Sequence, residues 1–207
     1  MTLMPLARPP RRMTPQRRRE HLIDAALDLF AQIGPEDVTV EDVTTAADVS
    51  RALFYRYYSN IGELRVAALT AVVDELTQRI SDPVGDTPIH QLRNALDTFL
   101  DVTGRHAKAY VALLRSGSVV ATGDAAALID GVRHLIVKLV VERSGVADQT
   151  PLFLMTVRGW VALAESATVT WQQDKTVPRA QLIDWLMGQL VAMIAENARH
   201  EQVGASS

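Results

Sequence analysis

The 207-residue chain contains no cysteine. The missing thiols exclude disulfides, cysteine-ligated zinc, iron–sulfur clusters and thiol catalysis. No uninterrupted run of about 18 apolar residues occurs, so neither a membrane-spanning helix nor a membrane partner is expected. The basic N-terminus lacks an apolar segment that leads to a cleavage site, and a secretory signal is therefore not predicted. These absences together predict a cytoplasmic protein.

Sequence patterns typical of catalysis and of metal binding are also missing. The five histidines show no metalloprotease spacing, and no Gly-rich phosphate loop is present. A Gly-x-Ser-x-Gly nucleophile motif does not occur either. Because 48 % of the residues are hydrophobic and 22 % are charged, the composition is that of a globular protein. We therefore expect no enzymatic activity, no catalytic residue, no metal site and no cofactor.

Charge is distributed unevenly along a chain whose formal net charge is only −3. Residues 1–19 hold six arginines and no acidic residue. Local fields decide binding to a polyanion, so this segment favours a nucleic-acid partner in spite of the net charge. We predict a disordered basic arm over residues 1–13. A solvated tail, or an extension from a misplaced start codon over the first ten residues, is the alternative.

The start signals along the chain are those of helices. Thr14-Pro15, Thr87-Pro88 and Thr150-Pro151 each place an N-cap side chain before a proline at the first helical position. No period-2 alternation is sustained, so no sheet is expected. Apolar residues at three- and four-residue spacing predict about nine helices. They run from 14 to 33, briefly after Thr39, briefly after Ser50, and then over about 60–80, 88–103, 105–116, 125–143, 151–173 and 179–198.

This pattern predicts an all-α fold in two parts. Residues 14–60 form a compact N-terminal head of three helices. Residues 61–200 form an antiparallel helical bundle, with the fourth helix as the joint between the two parts. Residues 201–207 are expected to be a disordered tail.

Two short helices joined by "AADV" predict a helix-turn-helix, in which the second helix enters the major groove of DNA. Phe54 and Tyr58 lie four positions apart and are expected to face the core, which leaves Arg51, Ala52 and Tyr55 facing outward. An outward arginine can donate two hydrogen bonds to guanine, and a small apolar side chain can meet a thymine methyl. The alternative for Arg51 is contact with phosphate or solvent alone.

At this point the chain resembles the TetR family of transcriptional repressors. The resemblance covers about residues 17–68, through "AALDLFAQIG" and then "VTVEDVTTAADVSRALFYRYYSN". It implies sequence-specific binding to a double-stranded DNA operator. The candidate DNA-binding residues are Thr39, Val40, Ser50, Arg51, Ala52, Tyr55, Tyr57, Asn60, Arg17 and Arg18.

Three residues depart from the family pattern. Asp48 replaces the usual turn glycine, and aspartate tolerates the left-handed conformation better than most residues. Tyr57 stands where histidine is common, and its hydroxyl can still donate to a phosphate. Ile61 occupies the position of a lysine that typically reaches a phosphate. We hypothesise that the arginine-rich arm supplies the missing cation, so deletion of residues 1–12 should weaken DNA binding and flatten its salt dependence.

The resemblance also implies a homodimer formed by the last two helices. A two-fold axis would then place the reading helices about 34–36 Å apart, facing a palindromic operator. The alternative is that the same apolar stripe is intramolecular core. The candidate interface residues are Gly159, Ala162, Ala167, Leu182, Trp185, Leu186, Gln189, Leu190 and Met193.

In proteins of this kind the C-terminal domain binds a small molecule. The apolar excess of the bundle suggests a hydrophobic or amphipathic effector that releases a repressor from its operator, although each wall residue has a core role as the alternative. Gating by a protein partner, or action as an activator, also stays open. The candidate pocket residues are Phe99, His106, Tyr110, Arg115, His134, Phe153, Trp160 and Glu165.

Overall fold

The computed structural model describes residues 13–108, 123–146 and 149–204. Within these ranges the chain forms eight α-helices and no strand, which confirms the all-α prediction. Most of the predicted helix near 105–116, together with Tyr110 and Arg115, lies outside the described residues. The helices are α1 (Pro15–Ile33), α2 (Val40–Ala46), α3 (Arg51–Tyr57), α4 (Ile61–Ser81), α5 (Pro88–Arg105), α6 (Gly123–Arg143), α7 (Pro151–Asp174) and α8 (Arg179–Gly204).

Three of the long helices begin at the predicted threonine–proline pairs. The side chains of Thr14, Thr87 and Thr150 each accept a hydrogen bond from the backbone N–H three residues further on. In each helix the proline occupies the first turn, where its missing N–H is not needed. The three predicted helix starts are therefore confirmed.

Two predicted helix ends differ from the structure. Gly104 does not end α5, which continues to Arg105, because a glycine inside a helix costs only about 1 kcal/mol relative to alanine. The last helix was predicted to end near residue 198, but α8 runs to Gly204. The segment between them carries no proline or glycine, so nothing in it stops a helix.

Within the described residues the interior consists of two hydrophobic cores that share α4. Leu64 and Ala68 in the first turns of α4 pack into the core of the head. Leu76 and Ile80, further along the same helix, pack into the core of the bundle. The head core therefore extends beyond the predicted boundary at residue 60.

Arg65 ties the start of α4 to the loop between α1 and α2. Its guanidinium donates to the backbone oxygens of Glu36 and Val38, at 3.0 and 3.1 Å. Hydrogen bonds from a charged donor are worth more than neutral ones, roughly 1.5–3 kcal/mol each. The first turns of α4 are thus fixed to the head by packing and by this side chain.

An ion-pair network joins the later part of α4 to α5. Arg79 pairs with Asp101 at 2.8 Å, and Arg105 pairs with Glu75. The hydrogen bond from Arg105 lowers the pKa of Glu75, and the hydrogen bond from Arg79 lowers that of Asp101. Because these side chains are 35–46 % exposed, each pair contributes little to stability by itself. The network mainly fixes how the two helices lie against each other.

Helix α7 is, among the described helices, the one long and apolar enough by length and composition to cross a membrane. Phe153, Val157 and Trp160 on this helix are buried in the bundle core, which accounts for part of its apolar character. Only 33 % of its most apolar window is buried within the subunit. An apolar outer surface therefore remains on α7.

Candidate nucleic-acid interface

The turn between α2 and α3 is held by a left-handed residue and by backbone hydrogen bonds. Asp48 has φ +49°, the conformation that the usual glycine would supply. The N–H of Val49 donates to the oxygen of Thr44 at 2.9 Å. Behind the turn, Nε2 of His21 lies 2.9 Å from the backbone oxygen of Ala47, a contact that requires the proton on Nε2. Aspartate thus maintains the turn, as the sequence predicts.

Helix α3 has an inner and an outer side. On the inner side Phe54 is fully buried, and Tyr58, the residue that directly follows α3, is 5 % exposed, with burial raising the pKa of Tyr58. On the other side Arg51 and Ala52 are exposed, and Tyr55 is 54 % exposed. The ring of Tyr55 meets that of Phe54 edge-on, with the centroids 5.4 Å apart. The predicted division between core and outward side chains is therefore confirmed, while contact with DNA stays a prediction.

Three candidate DNA-binding residues are exposed helix N-caps. The side chains of Thr39, Ser50 and Asn60 each accept a hydrogen bond from the backbone N–H three residues further on. The carboxylate of Asp42 also accepts hydrogen bonds from the hydroxyl and backbone N–H of Thr39, which lower the pKa of Asp42. These side chains fix the starts of α2, α3 and α4. Their hydroxyl and amide groups remain at the surface beside those helix starts.

Tyr57 and Ile61 are both partly buried against the head core. The guanidinium of Arg19 lies 5.7 Å from the centre of the Tyr57 ring, at cation–π distance. Ile61 therefore packs against the core at the position where the family pattern has a phosphate-binding lysine. Val40 is likewise half-buried in the same core. Arg17 is exposed and Arg18 half-buried.

Two exposed arginines on this part of the head were not among the sequence candidates. Arg19 follows the predicted Arg17 and Arg18, but only the fold shows that it stacks on Tyr57. Arg56 stands in the last turn of α3, beside Tyr55. Its position directly after Tyr55, which is predicted to face outward, could have indicated that Arg56 is exposed on the same part of the head.

A small apolar cavity of about 40 Å³ lies inside the bundle. Phe99, Trp160 and Glu165, three of the predicted pocket residues, form part of its wall. Ile80 of α4 also lines it. Because ligand pockets usually measure roughly 300–1,000 Å³, a drug-sized effector would have to widen this cavity.

Three other pocket candidates lie elsewhere. His134 is exposed on α6, with Nδ1 2.7 Å from the backbone oxygen of Asp130 on its own helix, so it does not line the cavity. Phe153 is buried in the bundle core and is absent from the cavity wall. His106 is half-buried after α5, where burial and then Arg105 lower its pKa. The sequence pattern of aromatic and titratable residues alone therefore did not show which of them lie in the core, at the surface or in the cavity wall.

Glu165 is held at the cavity wall by Arg133 of α6. Nε of Arg133 donates to both carboxylate oxygens, at 2.9 and 3.1 Å, and a terminal nitrogen donates to one of them at 3.0 Å. The hydrogen bonds to Glu165 raise the pKa of Arg133. The carboxylate is only 16 % exposed, so its charge is neutralised largely by this partner. Arg133 was not a sequence candidate.

The predicted dimer stripe divides between core and surface. Leu182, Leu186 and Leu190 are 0–7 % exposed and belong to the bundle core, where the backbone oxygen of Leu186 accepts a hydrogen bond from the Trp160 indole at 2.8 Å. These three leucines are therefore removed from the candidate interface. Of the other candidates, Gly159, Ala162 and Trp185 are exposed, and Ala167, Gln189 and Met193 are half-buried.

Four large apolar side chains that the subunit leaves exposed share α7 and α8. Leu152 and Met155 are 40 % and 65 % exposed on α7, and Trp185 and Val191 are 46 % and 55 % exposed on α8. A pair of helices that leaves several large apolar side chains exposed is a candidate interaction site. We call this surface, with Gly159 and Ala162, the α7–α8 face.

The head presents one exposed side of α3 and packs the other side into its core, and α4 joins this head to a bundle with an internal cavity. This arrangement is that of a helix-turn-helix regulator of transcription. The comparisons with known proteins agree. Residues 22–68 match the family model described as bacterial regulatory proteins, tetR family, and residues 88–193 match the tetracyclin repressor-like C-terminal domain. The chain belongs to the TetR family, as the resemblance in sequence indicated.

Relatives and solved structures cover most of the chain. The transcriptional regulator MftR of Mycobacterium tuberculosis is 30 % identical over 174 residues, which are 76 % of this chain and 81 % of the relative. The HTH-type transcriptional repressor KstR of Rhodococcus jostii is 26 % identical over 162 residues, which are 73 % and 76 % of the two chains. A crystal structure of a tetR-family transcriptional regulator from Streptomyces coelicolor superimposes with a TM-score of 0.85 at 31 % identity, covering 93 % of this chain and 87 % of that one. Proteins of this family are dimeric DNA-binding regulators of transcription and are generally not enzymes.

Proposed function

We propose that this chain is a homodimeric repressor that binds a palindromic operator in the cytoplasm and is released by a small hydrophobic effector. The observation that carries DNA recognition is the exposed row of Arg51, Ala52 and Tyr55, which is backed by the buried Phe54 and Tyr58. A rigid backing gives these outward groups fixed positions. A helix of this kind fits the major groove, which is about 12 Å wide.

The outward groups of α3 suit different parts of DNA. Arg51 is assigned to the edge of a guanine and Ala52 to a thymine methyl. The hydroxyl of Tyr55 is assigned to a phosphate. Arg19, held over Tyr57, gives the same part of the head a fixed cation. The hypothesis that the arginine-rich arm replaces the charge that Ile61 lacks is separate and is tested by deletion of residues 1–12.

The α7–α8 face supports a dimer with two helices from each subunit. Its large exposed side chains share α7 and α8 with Gly159 and Ala162, which are small enough for close helix approach. Burying this apolar surface against a second copy would form a four-helix interface about a two-fold axis. The half-buried Ala167, Gln189 and Met193 are assigned to its rim.

The shared helix α4 supplies a route from the effector to the DNA. An effector that widens the cavity presses on Ile80, and the same helix carries Leu64, Arg65 and Ala68 in the head. A shift of α4 would therefore change the separation or tilt of the two reading helices. Release from DNA follows only if the effector binds the shifted state more tightly than the DNA-binding state.

DNA binding is tested by fluorescence anisotropy with the DNA around the gene that encodes the chain. Arg51→Ala should weaken binding to the operator by about 10- to 100-fold and relax specificity at one base pair. The matched control is Arg199→Ala, which removes an exposed arginine near the far end of α8. An equal loss on operator and unrelated DNA would assign Arg51 to phosphate instead.

The effector is tested by a thermal-shift screen with hydrophobic ligands. A ligand that binds the folded state raises the melting temperature by mass action, and the same ligand should release the operator. If no ligand stabilises the protein, gating by a protein partner becomes the better account. The position of the operator relative to the promoter distinguishes a repressor from an activator.

A further inference from the structure

Gln172 is a polar residue whose burial lowers the stability of the fold. It lies on α7 and is 9 % exposed, and in the part of the chain that the structure describes neither its Oε1 nor its Nε2 has a hydrogen-bond partner. A buried amide without hydrogen-bond partners is destabilising, and an apolar side chain of similar size would give a more stable fold at this position. Buried polar groups are normally satisfied, so this one calls for a partner outside the described residues.

The amide of Gln172 is closed off from solvent and packs against α5. Gly104 faces it, and a Cβ at that position would lie 3.3 Å from Nε2, closer than side chains normally pack. Thr103 and Thr168 are buried nearby along the same two helices, at 5 % and 0 % exposure. Each hydroxyl donates to the backbone of its own helix at 2.7 Å and keeps a lone pair with which to accept. The space between α5 and α7 is therefore polar at this level.

This polar level follows the apolar cavity along both helices, although its residues are not part of the cavity wall. Ala164 and Glu165 line the cavity on α7, Thr168 follows Ala164 by four residues, and Gln172 follows by four more. Gln172 follows Glu165 by seven positions, a distance of about 10 Å along a helix. On α5, Thr103 follows the cavity residue Phe99 by one turn. An elongated molecule lying between α5 and α7 would meet apolar walls at one end and the amide at the other.

The charged residue of the cavity wall, Glu165, does not call for a charged ligand. The carboxylate of Glu165 is already bound by Arg133 through three hydrogen bonds, so it does not offer a free charge. Gln172 carries no charge and presents both a donor and an acceptor. Burying a carboxylate or an ammonium group beside it without a counter-ion would be strongly unfavourable.

We propose that Gln172 recognises the neutral polar head group, an amide or a hydroxyl, of an elongated amphipathic effector whose apolar chain occupies the widened cavity. This assignment rests on the effector-binding function proposed above. It names Gln172 as a specificity-determining residue and Gly104 as the residue that keeps the amide free.

The test uses four probes with the same ten-carbon chain length: decanamide, decanol, decanoate and decylamine. Isothermal titration of the full-length protein should give at least about ten-fold tighter binding of the two neutral probes. Gln172→Leu should weaken decanamide about ten-fold and leave decanoate unchanged. The matched control is Gln173→Leu, which changes the exposed neighbour and should leave all four affinities as they are. Gly104→Ala, a substitution that favours the helix, should weaken decanamide by crowding the amide.

The possible outcomes separate the two proposals. Selectivity for neutral heads that survives in both Gln172→Leu and Gly104→Ala overturns the role of Gln172 and leaves the effector function standing. A Gln172→Leu protein that melts at lower temperature with unchanged selectivity also overturns it, because the amide is then bonded within the protein or to water. Absence of binding by all four probes overturns the role of Gln172; the effector function falls only if the thermal-shift screen also finds no stabilising ligand.

Discussion

Replacing Trp185 by alanine is expected to separate the two subunits of the dimer without unfolding them. Trp185 is 46 % exposed in the single subunit, although its neighbours Leu182 and Leu186 are buried. A tryptophan of about 250 Å² therefore leaves about 115 Å² uncovered. At about 25 cal/mol per Å², full burial of that area contributes about 3 kcal/mol.

Two-fold symmetry doubles this contribution, because each subunit brings the same side chain to the interface. The upper bound is then about 6 kcal/mol, and half as much follows if half of the free area is buried. Trp185→Ala should raise the dissociation constant of the dimer by about 10²- to 10⁴-fold. Sedimentation equilibrium over a series of protein concentrations measures this constant directly.

The control for Trp185 is an exposed apolar residue away from the α7–α8 face. Val84, which is 62 % exposed in the loop between α4 and α5, serves this purpose as Val84→Ala. Circular dichroism should show native helix content and melting for both variants. A Trp185→Ala protein with native helicity and an unchanged dissociation constant would refute the assignment of the α7–α8 face to the dimer.

Three further predictions concern the head and the end of α5. Thr39→Ala should lower the free energy of unfolding by about 1 kcal/mol through loss of the N-cap of α2, and Thr39→Ser should restore it in denaturant titrations. Asp48→Val should destabilise by about 1–2 kcal/mol because φ is +49°, whereas Asp48→Gly should stay within about 0.5 kcal/mol. Burial lowers the pKa of His106, so its stabilising effect is present above its unfolded pKa and is lost as the pH falls. Between about pH 7 and pH 5.5 the melting temperature should therefore fall less for His106→Gln than for the wild type. An equal fall in melting temperature would contradict this.

Helix starts and the reading helix were predictable because their signals are local. Thr14, Thr87 and Thr150 each bond a backbone N–H three residues away, so the sequence contains both partners. Phe54 and Tyr58 are spaced for one side of a short helix, and the structure buries both. Local geometry was sufficient for these elements.

The division of α8 between core and surface was not predictable in the same way. Leu182, Trp185, Leu186 and Leu190 are all apolar and spread around more than one side of the helix, so periodicity does not say which side faces α7. The fold shows that the leucines face the core and that Trp185 does not. Arg133 was missed for a related reason, since its partner Glu165 lies 32 residues away on another helix.

The sharing of α4 by two cores has a consequence for how the protein unfolds. A fragment that ends at residue 60 would lack Leu64 and Ala68, and the core of its head would be open on one side. Melting the bundle would remove the support of the helix that carries those two residues. We therefore expect the head and the bundle to unfold together in one cooperative transition, with matching midpoints for probes placed in either part.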